Sequence, residues 1–259
     1  MSMVSIVMGA FNEESSIAKA IESISTQTYK SWEFIIIDDC SSDKTQEIIK
    51  RYCDKDNRIR LVINSKNLGL AASLNKGISL ANGIYIARMD ADDISLPDRL
   101  KKQVEALDTN KEIMVIGTGA YYLNKNKNKK VKKIINMPES NKNISKSIFK
   151  TSPFIHPTVM IRRKFLEITQ GYNPALRRAQ DYDLWLRGRH IGEYHNLQEP
   201  LIIYLDNNKK LFTGYYNTVL IRFKNSKNIY DLFKSLYWSL YETIFILYIF
   251  LIQIFKKKG

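Results

Sequence analysis

Two cysteines, Cys40 and Cys53, are all that a chain of 259 residues contains, and neither stands in a metal-ligand spacing. That excludes a disulfide framework and a thiolate zinc site, and both read as reduced thiols of a cytoplasmic protein. An export signal is also missing. "MSMVSIVMGAFNEE" has neither a basic start nor a small-residue cleavage site, and its apolar stretch reads as a strand. No G-x-G-x-x-G or P-loop sequence occurs, which removes the usual dinucleotide and ATP fingerprints. No internal repeat is visible. Acidic residues are the minority, 26 Asp+Glu against 40 Lys+Arg, for a formal net charge of +14. Such a balance fits an anionic partner: nucleic acid, a membrane surface or a phosphorylated substrate.

What is present is enough for a folded protein with a sizeable core, at 44% hydrophobic and 25% charged residues. The first half alternates strand and helix signals. Apolar runs at Val4 to Met8, Phe34 to Ile37, Ile59 to Ile63 and Ile84 to Ala87 read as strands. Residues 17–24, 45–52 and 70–80 carry helical spacing, the last closed by Asn82-Gly83. This alternation implies a parallel sheet covered on both faces, with ligands at the carboxyl ends of its strands. Polar clusters follow three of those strands, "NEE", "DDCSSD" and "DADD", and should converge on one cleft. Beyond residue 112 the pattern is less regular. "EIMVIGTGAYYL" reads as a strand returning to the core, and the Lys-rich "NKNKNKKVKK" (124–133) as a solvated loop or hairpin tip.

The aspartates of "RMDADDISLPDRL" are unexpected in so basic a chain. Asp93 fits a helix cap if a helix opens at Pro97. Capping does not account for Asp90 and Asp92 together. Two carboxylates one residue apart in a turn can aim at one point, and a hard divalent cation removes their repulsion. An EF-hand is excluded, since the required Gly and terminal Glu are missing.

Taken in order, "VSIVMGAFNEE", "QTYKSWEFIIIDDCSSDKT", "NLGLAASLNKGI", "ANGIYIARMDADDISLPDRL" and "GYNPALRRAQDYDLWLR" resemble the family 2 inverting glycosyltransferases of the GT-A fold, over about residues 3 to 205. The resemblance implies an α/β, Rossmann-like nucleotide-sugar-binding fold with a mostly parallel central sheet. It divides the chain into a donor half (1–120), an acceptor half with the base (121–205) and a C-terminal tail (206–259). It makes Asp90 and Asp92 a D-x-D motif, with Asp92 the direct ligand of Mn2+ or Mg2+ and Asp90 holding the ribose or assisting the metal. Ala10, Phe11, Asn12, Glu13 and Asp39 would grip the uridine of a UDP-sugar donor, and Lys76 and Arg88 could approach the phosphates. Asp181 would be the general base that takes the proton of the acceptor hydroxyl, with Asp183 its rival two residues on. Members commonly show Glu-Asp where this chain has Gln180-Asp181, which alters acceptor contacts more than the base. His156 and Gln180 are the acceptor-side candidates.

From Leu236 to Phe255 the chain is almost entirely apolar, interrupted by Glu242 and Gln253 and followed by three lysines. A helix of that length rises about 30 Å, just enough to span a bilayer core. With Glu242 inside it, the segment reads as amphipathic or hydrophobic helix associating with the inner-leaflet surface; packing on the catalytic domain and a true span are the alternatives. A transferase on the cytoplasmic face of the inner membrane suggests a polyprenyl-diphosphate-linked sugar acceptor, and the chain looks like bacterial O-antigen and capsule enzymes. Such enzymes add hexoses, often glucose or galactose, and inversion of an α-linked UDP-sugar gives a β linkage. Two rivals remain: a nucleic-acid-binding protein, suggested by charge alone and lacking any recognisable module, and a catalytically silent scaffold, against which the intact Asp90, Asp92 and Asp181 argue.

Overall fold

The computed structural model describes residues 2–124, 131–206 and 215–258. In chain order the elements are β1 (Val4–Ala10), α1 (Ile17–Ser25), β2 (Trp32–Asp38), α2 (Thr45–Cys53), β3 (Ile59–Ile63), α3 (Leu70–Leu80), β4 (Tyr85–Asp90), β5 (Ile94–Ser95), α4 (Arg99–Thr109) and β6 (Ile113–Asn124). There follow β7 (Val131–Ile135), α5 (Asn141–Ser147), a 3-10 turn (His156–Thr158), β8 (Met160–Arg162), α6 (Arg163–Thr169), α7 (Gln180–Gly188), β9 (Glu193–Asp206), α8 (Tyr215–Lys224) and α9 (Ile229–Lys258). The four strands and three helices expected of the first half are all present, with β3 and α3 at the bounds read from the sequence.

A single sheet of nine strands runs in the order β3-β2-β1-β4-β8-β6-β9-β5, with β7 paired to β6. Its first four strands are parallel, as the alternating pattern implies. The rest departs from the mostly parallel expectation. β8 lies antiparallel to both β4 and β6, β5 is antiparallel to β9, and β6 and β9 are parallel to each other. The 120/121 boundary falls inside β6, so the sheet is continuous across both halves. Of the Lys-rich stretch, β6 and β7 form the antiparallel flanks; residues 125–130 lie outside the described residues.

Side chains alternate across the sheet and build two cores, because successive strand residues point to opposite faces. Ile6, Met8, Phe34 and Ile36 meet α1, α2 and α4 through Ile17, Ile21, Ile24, Ile49, Leu100 and Leu107. Val7, Ile35 and Ile37 meet α3, α6 and α7 through Ala71, Leu74, Phe165, Leu184 and Trp185. Helix α1 buries Ile17, Ala20, Ile21 and Ile24, the i, i+3, i+4, i+7 stripe its sequence shows. Helix α3 approaches the sheet closely because Gly77 faces it; a Cβ there would lie 2.4 Å from Val7 Cγ1. Cys40 is exposed and both thiols are free.

The chain passes from β1 to β2 and β3 on one side, then returns to place β4 on the other side of β1. That reversal is the topological switch point, where an open α/β sheet forms a crevice at its carboxyl edge. Ala10 ends β1 and Asp90 ends β4, with Gly9 opposite Asp90.

Candidate active site

The acidic turn after β4 is built on buried arginine. Arg88 is almost fully buried and grips both carboxylate oxygens of Asp90 in a fork, Nη1 to Oδ2 at 2.7 Å and Nη2 to Oδ1. Burial alone would depress its guanidinium; the Asp90 and Asp93 charges outweigh that and hold it protonated. Burial, with the Asp92 charge, pushes the Asp90 carboxyl up against the pull of Arg88. Arg99, also buried, donates to the Arg88 carbonyl at 2.7 Å and feels the Asp93 charge. The basic chain thus supplies the counter-charge beneath its acidic cluster. Asp93 does not cap a helix: it is 1% exposed, β5 follows it directly, and α4 opens at Arg99 rather than Pro97. Asp98 occupies the N-cap position, and its carboxylate accepts from Thr28 Oγ1 at 2.8 Å.

Asp90, Asp92 and Asp93 each offer an oxygen within 4.8 Å of the others. Three hard oxygen donors so placed suit Mg2+ or Mn2+ in chemistry and charge, and suit softer metals poorly. Asp92 is half-buried, unlike Asp93.

Asp181 reaches the same crevice from the other half of the chain. A cavity of about 420 Å³ is lined by Arg88 and Asp90, by His156 and Pro157 of the 3-10 turn, and by Gln180 and Asp181 at the start of α7, with Leu70, Ile135, Phe154 and Tyr204 completing it. Of the sequence candidates, Arg88, Asp90, His156, Gln180 and Asp181 are therefore brought together. Burial pushes the Asp181 carboxyl above the ordinary aspartate range, aided by Asp90 and opposed by the Tyr182 N–H and Arg88. Asp183 is separated from Asp181 by its partner: it is fully buried and pairs with Arg187 one turn on, Nε to Oδ2 at 2.7 Å. His156 Nε2 and the Tyr172 hydroxyl lie 2.8 Å apart. Burial and Arg88 push the imidazole well below its usual range, so it is neutral at pH 7.

The remaining candidates follow the edges of β1, β2 and β3. Ala10 is buried, while Phe11 and Asn12 are exposed. The Asn12 side chain accepts from the Ser42 N–H at 2.9 Å, and the Glu13 N–H donates to Thr45 Oγ1 at 2.8 Å, so the first two polar clusters are tied together. Asp39 is buried and accepts from Leu68 N–H, Gly69 N–H and Asn64 Nδ2, each at 2.8 Å. Burial pushes its carboxyl up, but these donors outweigh it and hold it below the ordinary range. Lys76 donates to Asn64 Oδ1 at 2.8 Å, behind Asp39 and outside the lining of the cavity. Asn12, Cys40 and Ala179 all hold positive φ without being glycine, directly before Glu13, directly after Asp39 and directly before Gln180. Strained backbone of this kind persists where surrounding structure fixes it, and it gathers at functional sites.

Sequence reasoning missed Tyr172 and Arg99. Both look like ordinary residues of their segments, an aromatic after a Gly and an arginine opening a helix. Tyr172 is fixed by Asn75, which donates to its carbonyl and accepts from its N–H.

The crevice at the switch point of a parallel α/β sheet thus brings Asp90, at the head of an acidic cluster, and the raised carboxyl of Asp181 into one cavity, an arrangement suited to a metal-assisted group transfer. The family model for glycosyl transferase family 2 matches residues 5–169, and the chain belongs to that family. An uncharacterized glycosyltransferase of Methanocaldococcus jannaschii is 35% identical, covering 96% of this chain and 89% of its own length. The O-antigen biosynthesis glycosyltransferase WbnJ of Escherichia coli is 32% identical, over 92% of this chain and 95% of its own. Among solved structures, Staphylococcus aureus TarS in complex with UDP-GlcNAc shares the fold with a TM-score of 0.70 at 18% identity, covering 86% of this chain and 65% of that one. A mannosyltransferase of Pyrobaculum calidifontis in complex with GDP-Man and Mn2+ gives a TM-score of 0.61 at 17% identity, covering 84% of this chain and 60% of that one. The fold is thus GT-A, and the relatives include enzymes of polysaccharide biosynthesis.

Proposed function

We propose that this glycosyltransferase moves a hexose, glucose or galactose, from a UDP-sugar to a polyprenyl-diphosphate-linked sugar, with inversion to a β linkage. The observation that carries the reading is the cavity lined by both Asp90 and Asp181, with Asp92 and Asp93 clustered around Asp90. Residues 1–120 form the donor half. The edge of Ala10, Phe11, Asn12 and Glu13 receives the uridine. Asp39, pinned by the 68–69 amides, presents a fixed carboxylate to the ring N–H, and Lys76, bonded to Asn64 behind it, would have to leave that partner to approach the phosphates. Residues 121–205 form the acceptor half, where Asp181 takes the proton of the attacking hydroxyl and its raised pKa strengthens it as a base. His156 and Gln180 orient the acceptor sugar.

Asp92 would be the principal ligand of Mn2+ or Mg2+, with Asp90, both of whose oxygens accept from Arg88, assisting it or holding the ribose. When bound, the cation supplies Lewis-acid neutralisation of the departing diphosphate. The neighbours' bound UDP-GlcNAc, GDP-Man and Mn2+ support the donor class and the metal, and the O-antigen relative supports the acceptor class. A panel of UDP-sugars with a synthetic lipid-diphosphate-GlcNAc acceptor and Mn2+, with product linkage determined by NMR, is the test. A product with an α linkage, or transfer only to water, sinks the reading.

The tail, 206–259, is proposed to rest on the inner leaflet at the cytoplasmic face. Among the described residues no helix is long and apolar enough to cross a membrane. Yet α9 exposes a stripe of Ile229, Phe233, Leu236, Leu240 and Ile244 at helical spacing, flanked by Tyr230 and Tyr237. Each such side chain, fully withdrawn from water, contributes about 1.5–3 kcal/mol. The triple variant Phe233→Ser/Leu236→Ser/Leu240→Ser should therefore lose at least about tenfold in partition onto anionic liposomes by co-sedimentation. Unchanged partition removes the stripe from the reading.

A further inference from the structure

Helix α9 contains two acids, Asp231 and Glu242, and both face inward onto buried arginines. Arg222 of α8 is fully buried. Its Nη1 and Nη2 donate to the two Glu242 oxygens at 2.8 and 2.7 Å, and Nη2 also donates to the Lys150 carbonyl at 2.7 Å. Its Nε reaches the Tyr182 hydroxyl at 3.3 Å, and that hydroxyl donates to the Ile148 carbonyl at 2.7 Å. Tyr182 is the residue after Asp181. At the other end of α7, Arg189 caps the helix through the Leu186 carbonyl and donates to Asp231 Oδ2 at 2.6 Å and to the Asn225 carbonyl at 2.9 Å. One ion pair, Arg189–Asp231, thus runs from α9 to the C-terminal end of the short helix that begins with Gln180-Asp181, and the other, Arg222–Glu242, lies within the α8–α9 hairpin and reaches the start of that helix through the Arg222–Tyr182 hydrogen bond.

Anchoring a helix to a protein body needs only apolar contact, which α9 already makes through Trp238. Buried ion pairs add little net stability compared with apolar packing but impose a defined geometry, and removing one partner leaves an uncompensated charge. We propose that the α8–α9 hairpin is a positioning element for the base, with Arg222–Glu242 and Arg189–Asp231 fixing the placement of α7 and hence of Asp181. This rests on the reading of Asp181 as the base. Neither arginine touches the substrate in this account; both act through α7. The tail therefore belongs to the acceptor machinery as well as to whatever surface its outer face meets.

The test uses the full-length chain with Glu242→Gln and Asp231→Asn, and two readouts. Steady-state kinetics should show kcat reduced about tenfold or more with KM for the UDP-sugar within about twofold, as loss of an interaction made only at the transition state requires. Amide hydrogen exchange should be at least about tenfold faster across residues 181–188 and unchanged in β1, β2 and β4. Glu199→Gln, which breaks the exposed Lys102–Glu199 pair, should move neither readout. Wild-type kcat with wild-type exchange in α7 overturns the proposal, and so does a fall in kcat matched by loss of UDP affinity and faster exchange throughout, which is a structural role only. Should Glu242→Gln not fold, Glu242→Asp, which keeps the charge one methylene short, carries the same readouts. A wild-type chain that transfers no sugar sinks the proposed reaction instead, and exchange in α7 alone then decides the coupling.

Discussion

Asp181→Asn is expected to lower sugar transfer by about 10²- to 10⁴-fold, the usual contribution of a positioned general base. UDP-sugar affinity should stay close to that of the parent protein if Asp181, at the start of α7, faces the acceptor as proposed. Asn keeps the side-chain shape and loses the ability to accept a proton. The pH dependence supplies an independent check. Burial holds the Asp181 carboxyl above the ordinary aspartate range, and a base works only when deprotonated. The kcat of the parent protein should therefore fall as pH drops through that raised value, at a pH higher than an ordinary carboxylate would give. In the Asn variant the residual rate should lose that acid limb. Near-normal turnover by Asp181→Asn, measured by release of UDP and by product formation, would return the base assignment to an open question. Asp183→Asn serves as the contrast: it breaks the Arg187 pair, so its main effect should be on stability rather than on the shape of the pH profile.

Asp92→Ala should abolish the metal-dependent part of donor binding and reduce transfer by two or more orders of magnitude, since a cation neutralising a departing diphosphate supplies several kcal/mol. Titration calorimetry of UDP with and without Mn2+ reads the first effect directly. In the variant the two titrations should coincide. Thermal stability should barely change, because Asp92 is half-buried and removal of one like charge relieves its neighbours. Asp90→Ala behaves differently by the same reasoning. It strips Arg88, nearly fully buried, of its directly paired carboxylate and leaves Asp93 nearby as counter-charge, so a clear loss of thermal stability is expected. A Mn2+-dependent gain in UDP affinity that survives Asp92→Ala would remove Asp92 from the metal site.

Sequence periodicity sufficed for the parallel half of the sheet. Ile59–Ile63 and Leu70–Leu80 were legible at their bounds because each presents an uninterrupted pattern ended by polar or Asn-Gly residues. The mixed half was not. β5 has two residues and β8 three, too few for any period, and the parallel pairing of β6 with β9 joins segments about eighty residues apart. The site divides similarly. Asp90 and Asp92 were visible as crowded charge, and Asp181 only through resemblance. What relieves the crowding, Arg88 beneath Asp90 and Arg99 beside Asp93, depends on which way strand residues point once β4 lies between β1 and β8. From the sequence Asp93 fits either a cap, because "DISLPDRL" resembles a helix start, or a supporting role behind its neighbours; its burial beside two guanidinium groups rules out the cap. Glu242 seemed an interruption of an apolar tail, and it is explained by an arginine in a different helix.

The continuous sheet also bears on how turnover proceeds. Asp90 closes β4, and the 3-10 turn and β8 connect that strand directly to β6 and onward to β9, so the sheet runs unbroken from residues 1–120 into residues 121–205 among the described residues. Among the described residues the sheet does not divide into lobes that could rotate about a hinge. The spacing between Asp90 and Asp181 is therefore expected to be set largely when the chain folds, rather than assembled by closure around a bound donor. Selectivity is then expected to come from the fit of ligands to the crevice rather than from one half of the molecule swinging against the other.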